Sequence, residues 1–133
     1  MPAGPRFERL DDWLDWQQHL HPATIDLGLR QISSVLARAG GNRPRAPVIT
    51  VGGTNGKGSC VALLDAVLRA NGYRVASFTS PPLVEYRERI RIDGAMVSEA
   101  SLIAAFERTA DALGLDSLTF FEFNTLAALL IFE

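Results

Sequence analysis

The chain has 133 residues, about the length of one domain, with 47% hydrophobic and 21% charged side chains. Its formal net charge of −2 gives no sign of a nucleic-acid or polybasic membrane partner. Cys60 is the single cysteine, which excludes an intrachain disulfide and a multi-cysteine metal site.

In chain order, residues 6–20 place Phe7, Leu10, Trp13, Leu14 and Leu20 at helical spacing, and His21-Pro22 ends the segment. Trp13 and Trp16 read as core or core edge, and His19 and His21 as helix-end residues. A second helix is predicted from Asp26 to Ala39, with Leu27, Ile32, Val35 and Leu36 inward and Gly40-Gly41 as its stop. After a loop, Val48–Val51 is a β-branched, continuously apolar run of the kind a strand buried on both faces has. The loop "GGTNGKG" follows, then a helix from Ser59 to Ala70 closed by Asn71-Gly72, then a second strand over residues 73–79. A β-loop-α-β order favours a parallel sheet with a right-handed crossover.

Beyond Ser80-Pro81-Pro82 the pattern changes. Residues 88–92, "ERIRI", alternate polar and apolar, as a strand with one wet face would. Asp93-Gly94 turns the chain and residues 95–97 return as a hairpin arm. On this reading Arg87, Arg89 and Arg91 are solvent-face charges. Ser98 caps a helix to Leu113, residues 114–117 break it, and Thr119–Glu133 form a last helix. That apolar stretch is shorter than a membrane span and contains Glu122, and the N-terminus has no signal-peptide core, so a cytoplasmic protein is expected. No later apolar strand ending in a magnesium-holding acid follows, so the chain reads as the N-terminal part of a longer enzyme.

The loop carries the chemistry. Anchored on Gly56-Lys57, the strict phosphate-loop pattern G-x-x-x-x-G-K-[ST] requires Gly where Val51 stands and Ser or Thr where Gly58 stands. The elements needed to hold a phosphate are nevertheless in order. Glycines let backbone N–H groups turn inward as an anion nest, and the following helix N-terminus adds partial positive charge. Lys57, the only lysine beside 12 arginines, supplies a compact point charge. Ser59 brings a hydroxyl within reach of a metal, and Thr54 and Asn55 are expected to fix the loop by side-chain hydrogen bonds. The structural alternative is a plain Gly-rich turn between strand and helix.

With these residues in view, "GGTNGKGS" resembles the ATP loop of the Mur ligase superfamily, and Gly58 followed by Ser59 resembles its folylpolyglutamate synthase/dihydrofolate synthase branch. Thr24–Ile32, Ser80–Gly94 and Leu118–Leu129 resemble further segments of that branch, so the resemblance covers residues 12–133. It implies an α/β fold, a P-loop-containing, Rossmann-like parallel sheet with flanking helices. Residues 1–133 would form the N-terminal part of its ATP-binding domain, inactive alone.

The implied activity is ATP-dependent addition of L-glutamate to dihydropteroate, to reduced folates, or to both, through an acyl phosphate, with Mg2+. By resemblance Gly56, Lys57, Gly58 and Ser59 hold the ATP phosphates beside Thr54 and Asn55, and Lys57 is catalytic. Ser80 is implied as a magnesium ligand with Ser59, although Pro82 stands where the family usually has His. Asp26, Leu27 and Gly28 match one substrate segment, and Thr119, Phe120, Phe121 and Glu122 a second. Each competes with a structural reading: Asp26 as a helix N-cap, Thr119 and Glu122 as a capping box, Ser80 as a turn residue. The arginines of 87–91 are an alternative attraction for a polyglutamate tail. The expected partners are small molecules, with no nucleic acid or membrane, and the full-length protein is expected to be a monomer. Another Mur-type ligase acting on a UDP-linked precursor, or a stand-alone nucleotide-binding module, are the rival readings.

Overall fold

The computed structural model describes residues 4–21, 28–41 and 44–133. They fall into two compact units, Met1–Pro44 with Glu99–Glu133, and Arg45–Ser98. The chain is a mixed α/β structure.

The first unit is helical: α1 (Leu10–Gln18), α2 (Arg30–Arg38), α4 (Glu99–Leu113) and α5 (Phe120–Ile131). Apolar positions read from the sequence on these helices meet here, with Leu27 and the expected helix start at Asp26 outside the described residues. Trp13, Val35, Leu102, Phe106, Leu118, Phe123 and Leu126 are completely buried. Each such side chain contributes roughly 1.5–3 kcal/mol through burial. Aromatic rings make up much of this core. Trp13 meets Phe7 edge-on with ring centroids 5.2 Å apart, and Phe106 lies 5.7 Å from Phe123. The buried indole N–H of Trp13 is satisfied by the Phe7 carbonyl at 3.0 Å.

The helix ends hold one another. The α2 stop falls as expected, with the Gly40 N–H on the Ala37 carbonyl and the Gly41 N–H on the Leu36 carbonyl. Arg38, in the last turn of α2, donates to the carbonyls of Ala112 and Leu113 at the end of α4, the second of which also accepts from Asp116 N, and pairs with the Asp116 carboxylate. Arg108 of α4 returns the arrangement by donating to Ala39 O at the end of α2, at 2.9 Å. Orphan carbonyls at two helix C-termini are thereby met by guanidinium groups, which also suits the negative end of each helix dipole.

The second unit contains the Gly-rich loop, α3 (Lys57–Ala70), and strands β1 (Ala76–Phe78), β2 (Ile90–Ile92) and β3 (Ala95–Met96). The strands form a three-stranded antiparallel sheet in the order β1-β2-β3. The Asp93-Gly94 hairpin forms where the sequence predicts it, with φ of 50° and 81°, values that favour these two residue types. It brings Ile92 opposite Ala95 and Arg91 opposite Met96.

Two expectations are corrected in this unit. Residues 48–51 make no strand and no parallel pair with 73–79 among the described residues; Val48 is 70% and Ile49 61% exposed. A strand buried on both faces needs partners along both edges and cover above and below. The described residues of this unit supply neither to that run. The alternating segment 88–92 is also only half strand. Tyr86–Arg89 wind into a 3-10 turn, because Glu85 and Glu88 form a capping box across its start. Arg89 consequently sits buried at 8% exposure, with its guanidinium 5.5 Å from the Tyr86 ring centroid, and is not a solvent-face charge.

Candidate nucleotide-binding site

Geometry around "GGTNGKGS" follows from where glycine permits the backbone to turn. Gly56 is the residue before α3 and adopts the left-handed conformation, with φ of 72°. A side chain there costs about 1–2 kcal/mol. The turn lets α3 begin at Lys57, two residues earlier than predicted, and Gly56 O accepts the first helical bond from Cys60 N at 2.9 Å. Fourteen residues of helix follow, so the N-terminus carries a developed dipole.

Lys57 folds back across the loop, its Nζ donating to Gly53 O at 2.6 Å. The ammonium therefore sits over the loop backbone, held by a single neutral acceptor. Methyl groups built on Gly52, Gly56 and Gly58 would meet no atom within 4 Å. Each of these three positions is thus open, two of them, Gly56 and Gly58, lie at the start of α3, and the Lys57 ammonium lies beside them on Gly53 O. That arrangement suits an anion with several oxygens.

Thr54 and Asn55 are exposed, and neither side chain makes a hydrogen bond among the described residues, which corrects their expected role in fixing the loop. Ser59 lies exposed on the first turn of α3. Ser80 is exposed just beyond β1. Both offer neutral hydroxyl oxygens. Among the described residues no cluster of three His, Cys, Asp or Glu side chains exists to hold a metal. A hard cation at these hydroxyls would take most of its ligands from phosphate oxygens and water, as magnesium does at nucleotide sites.

The segment after Ser80 is organised by a residue the sequence reading did not single out. Glu88 accepts three backbone N–H groups, from Leu83 at 2.8 Å, Val84 at 3.0 Å and Glu85 at 3.2 Å. The Glu85-x-x-Glu88 spacing was the available signal. These amides hold the Glu88 carboxyl below its ordinary value of 4.5, led by the bond from Leu83. A depressed carboxylate stabilises the fold above its ordinary value and loses that contribution as pH falls toward the folded one. Glu88→Gln should therefore flatten the decline of the thermal midpoint below about pH 4.5, measured by circular dichroism. An unchanged acid limb would remove Glu88 from this role.

The expected substrate segments belong to the helical unit. Asp26 and Leu27 lie outside the described residues, and Gly28 is exposed. Thr119 caps α5, its Oγ1 accepting from Glu122 N at 3.3 Å. Glu122 Oε2 accepts from Thr119 N and from Thr119 Oγ1, each at 2.9 Å. The capping-box reading therefore holds. Beside it Phe120 is half-buried and Phe121 is 54% exposed.

No family model matches the chain. Among curated proteins, dihydrofolate synthase/folylpolyglutamate synthase of Escherichia coli K12 is 45% identical over 124 residues, 93% of this chain and 29% of the relative. Among solved structures, E. coli FolC in complex with DHPP and ADP superposes with a TM-score of 0.91 at 44% identity, over 96% of this chain and 31% of that one. A bifunctional folylpolyglutamate synthase/dihydrofolate synthase with Mn, AMPPNP and L-glutamate bound gives a TM-score of 0.88 at 41% identity, over 97% of this chain and 31% of that one. The chain spans about three tenths of the length of these relatives. Along almost its whole length, in sequence and in fold, it belongs to the folylpolyglutamate synthase/dihydrofolate synthase family.

Proposed function

We propose that the protein carrying this chain is an ATP-dependent carboxylate–amine ligase that adds L-glutamate to dihydropteroate, to reduced folates, or to both. The chain is then the N-terminal part of its ATP-binding domain. The observation that carries the reading is the pair of unobstructed glycines, Gly56 and Gly58, at the start of α3 with the Lys57 ammonium beside them on Gly53 O. The nucleotide and metal in the two related structures support it.

A carboxylate resists attack by an amine because it is a poor electrophile with no leaving group. Transfer of the γ-phosphoryl group of ATP to that carboxylate supplies one, and the glutamate amine then displaces phosphate through a tetrahedral intermediate. Catalysis is mainly positioning and neutralisation of charge. In this reading Lys57 leaves Gly53 O for the terminal phosphates. The backbone of Gly56, Gly58 and Ser59 closes on the others, with Thr54 and Asn55 flanking. Ser59 and Ser80 would hold a magnesium ion, whose charge would offset that of the phosphates. Asp26, Leu27 and Gly28, with Thr119, Phe120, Phe121 and Glu122, line the pteridine side of the substrate. No helix among the described residues is long and apolar enough to cross a membrane. A monomer working in the cytoplasm completes the proposal.

The test is an ATP-dependent glutamate-ligation assay on the full-length protein, with dihydropteroate and tetrahydrofolate offered separately. Product with either supports the reading, and product with both makes the enzyme bifunctional. Absence of both products, with ATP, magnesium and glutamate supplied, rejects it.

A further inference from the structure

Within the helical unit, the aromatic core contains two side-chain amides. Gln17 of α1 is 1% exposed and Asn124 of α5 is fully buried. Asn124 Nδ2 donates to Gln17 Oε1 at 3.0 Å and to Phe120 O, one turn back on its own helix, at 2.6 Å. Beside it Thr125 Oγ1 donates to Phe121 O at 2.7 Å. Both carbonyls belong to the first turn of α5, so side chains hold the backbone of the turn that carries Phe120 and Phe121.

Packing alone does not explain the pair. Gln17 Nε2 is buried without an acceptor among the described residues. Their chain neighbours Trp16 and Phe123 have ring centroids 5.7 Å apart. Two apolar side chains of similar volume would suit those rings without leaving a buried donor unmet. What an amide pair adds is direction. Apolar contacts tolerate rotation of a helix about its axis, whereas a hydrogen bond between α1 and α5 does not. A further bond from the same nitrogen carries that restraint to the Phe120 carbonyl.

We propose that Gln17 and Asn124 are positioning residues: by tying Phe120 O to α1 they set the rotation of the first turn of α5, and with it how Phe120 and Phe121 meet the pteridine ring. This inference rests on the assignment of Thr119–Glu122 to the substrate under the proposed function. Neither residue touches substrate. They act through the backbone of the segment that does.

The test uses the full-length protein, steady-state kinetics and thermal unfolding. Gln17→Leu removes the acceptor and the unmet donor together. It should raise KM for dihydropteroate about tenfold, the scale of a small misplacement of a binding group, and leave KM for ATP unchanged. Gln17→Glu, which keeps an acceptor oxygen at the same reach, should recover much of the parent KM. If Gln17→Leu does not fold, the double variant Gln17→Leu/Asn124→Leu fills the site with apolar groups. It should unfold at or above the parent temperature and still show the raised KM. A parent-like pteridine KM in whichever leucine variant folds overturns the positioning role. Failure of both to fold overturns it too, by making the pair a requirement of folding. A parent enzyme that ligates glutamate to no pteridine rejects the functional reading itself, a result visible before any variant is made.

Discussion

Lys57→Ala in the full-length protein should lower kcat by about 10²–10³-fold, the loss seen when one preorganised donor to developing charge is removed. It should leave stability almost unchanged. In the structure the ammonium makes one hydrogen bond to a neutral acceptor, Gly53 O, at an exposed loop. Water competes for such a bond at an exposed site, so it contributes about 1 kcal/mol to stability. A 10³-fold loss of rate is about 4 kcal/mol of transition-state stabilisation, so the catalytic effect dominates by a wide margin. The measurement pairs single-turnover phosphoryl transfer with a thermal melt. A variant that keeps its melting temperature and its rate would deny Lys57 any part in the chemistry. Lys57→Arg should be little better, because a planar guanidinium does not fit where a compact charge closes on backbone oxygens.

Gly58→Ala should uncouple folding from nucleotide binding. Gly58 is the second residue of α3 and a Cβ there meets nothing within 4 Å. Alanine is favoured over glycine inside a helix by about 1 kcal/mol, so the variant should melt at the parent temperature or slightly higher. Its affinity for ATP should nevertheless fall at least tenfold, because the proposed role of Gly58 is to let a phosphate approach the backbone where a methyl group would stand. Isothermal titration with a non-hydrolysable ATP analogue reads the second quantity. Gly56→Ala is the control, since its φ of 72° makes the same substitution cost stability as well. Unaltered analogue binding by a folded Gly58→Ala protein would mean that the open space over α3 is not where the phosphates sit.

Much of the local structure was legible because the signals are local. The Asp93-Gly94 hairpin, the Gly40-Gly41 stop of α2 and the Thr119–Glu122 capping box each depend on a few adjacent dihedrals and hydrogen bonds. The burial of Trp13 followed from helical spacing. The Gly-rich loop was legible for a related reason: a backbone anion nest needs glycine, a helix start and a cation in sequence order, and the chain presents them consecutively.

What failed depended on neighbours remote in sequence or on competition between two local patterns. Residues 48–51 read as a strand from composition, yet strand formation requires a partner and the described chain gives them none. Residues 88–92 satisfied an alternating pattern, but the Glu85–Glu88 capping box took the first two into a 3-10 turn and moved Arg89 inward under Tyr86. The reciprocal capping of α2 and α4 by Arg38 and Arg108 left no mark in either helix alone. Nor did the Gln17–Asn124 contact, which joins residues 107 positions apart.

By itself, then, the sequence determined the family, the glycine-rich loop that leads into a helix at Lys57 and the boundaries set by turns and caps, because each is encoded in short stretches of chain. Only the structure decided that the sheet here is antiparallel, that Lys57 rests on Gly53 O and that two buried amide side chains meet between α1 and α5. The last two turn on hydrogen-bond direction at sub-ångström precision, and the sheet turns on which edges find partners. Neither is carried by the periodicity of apolar residues.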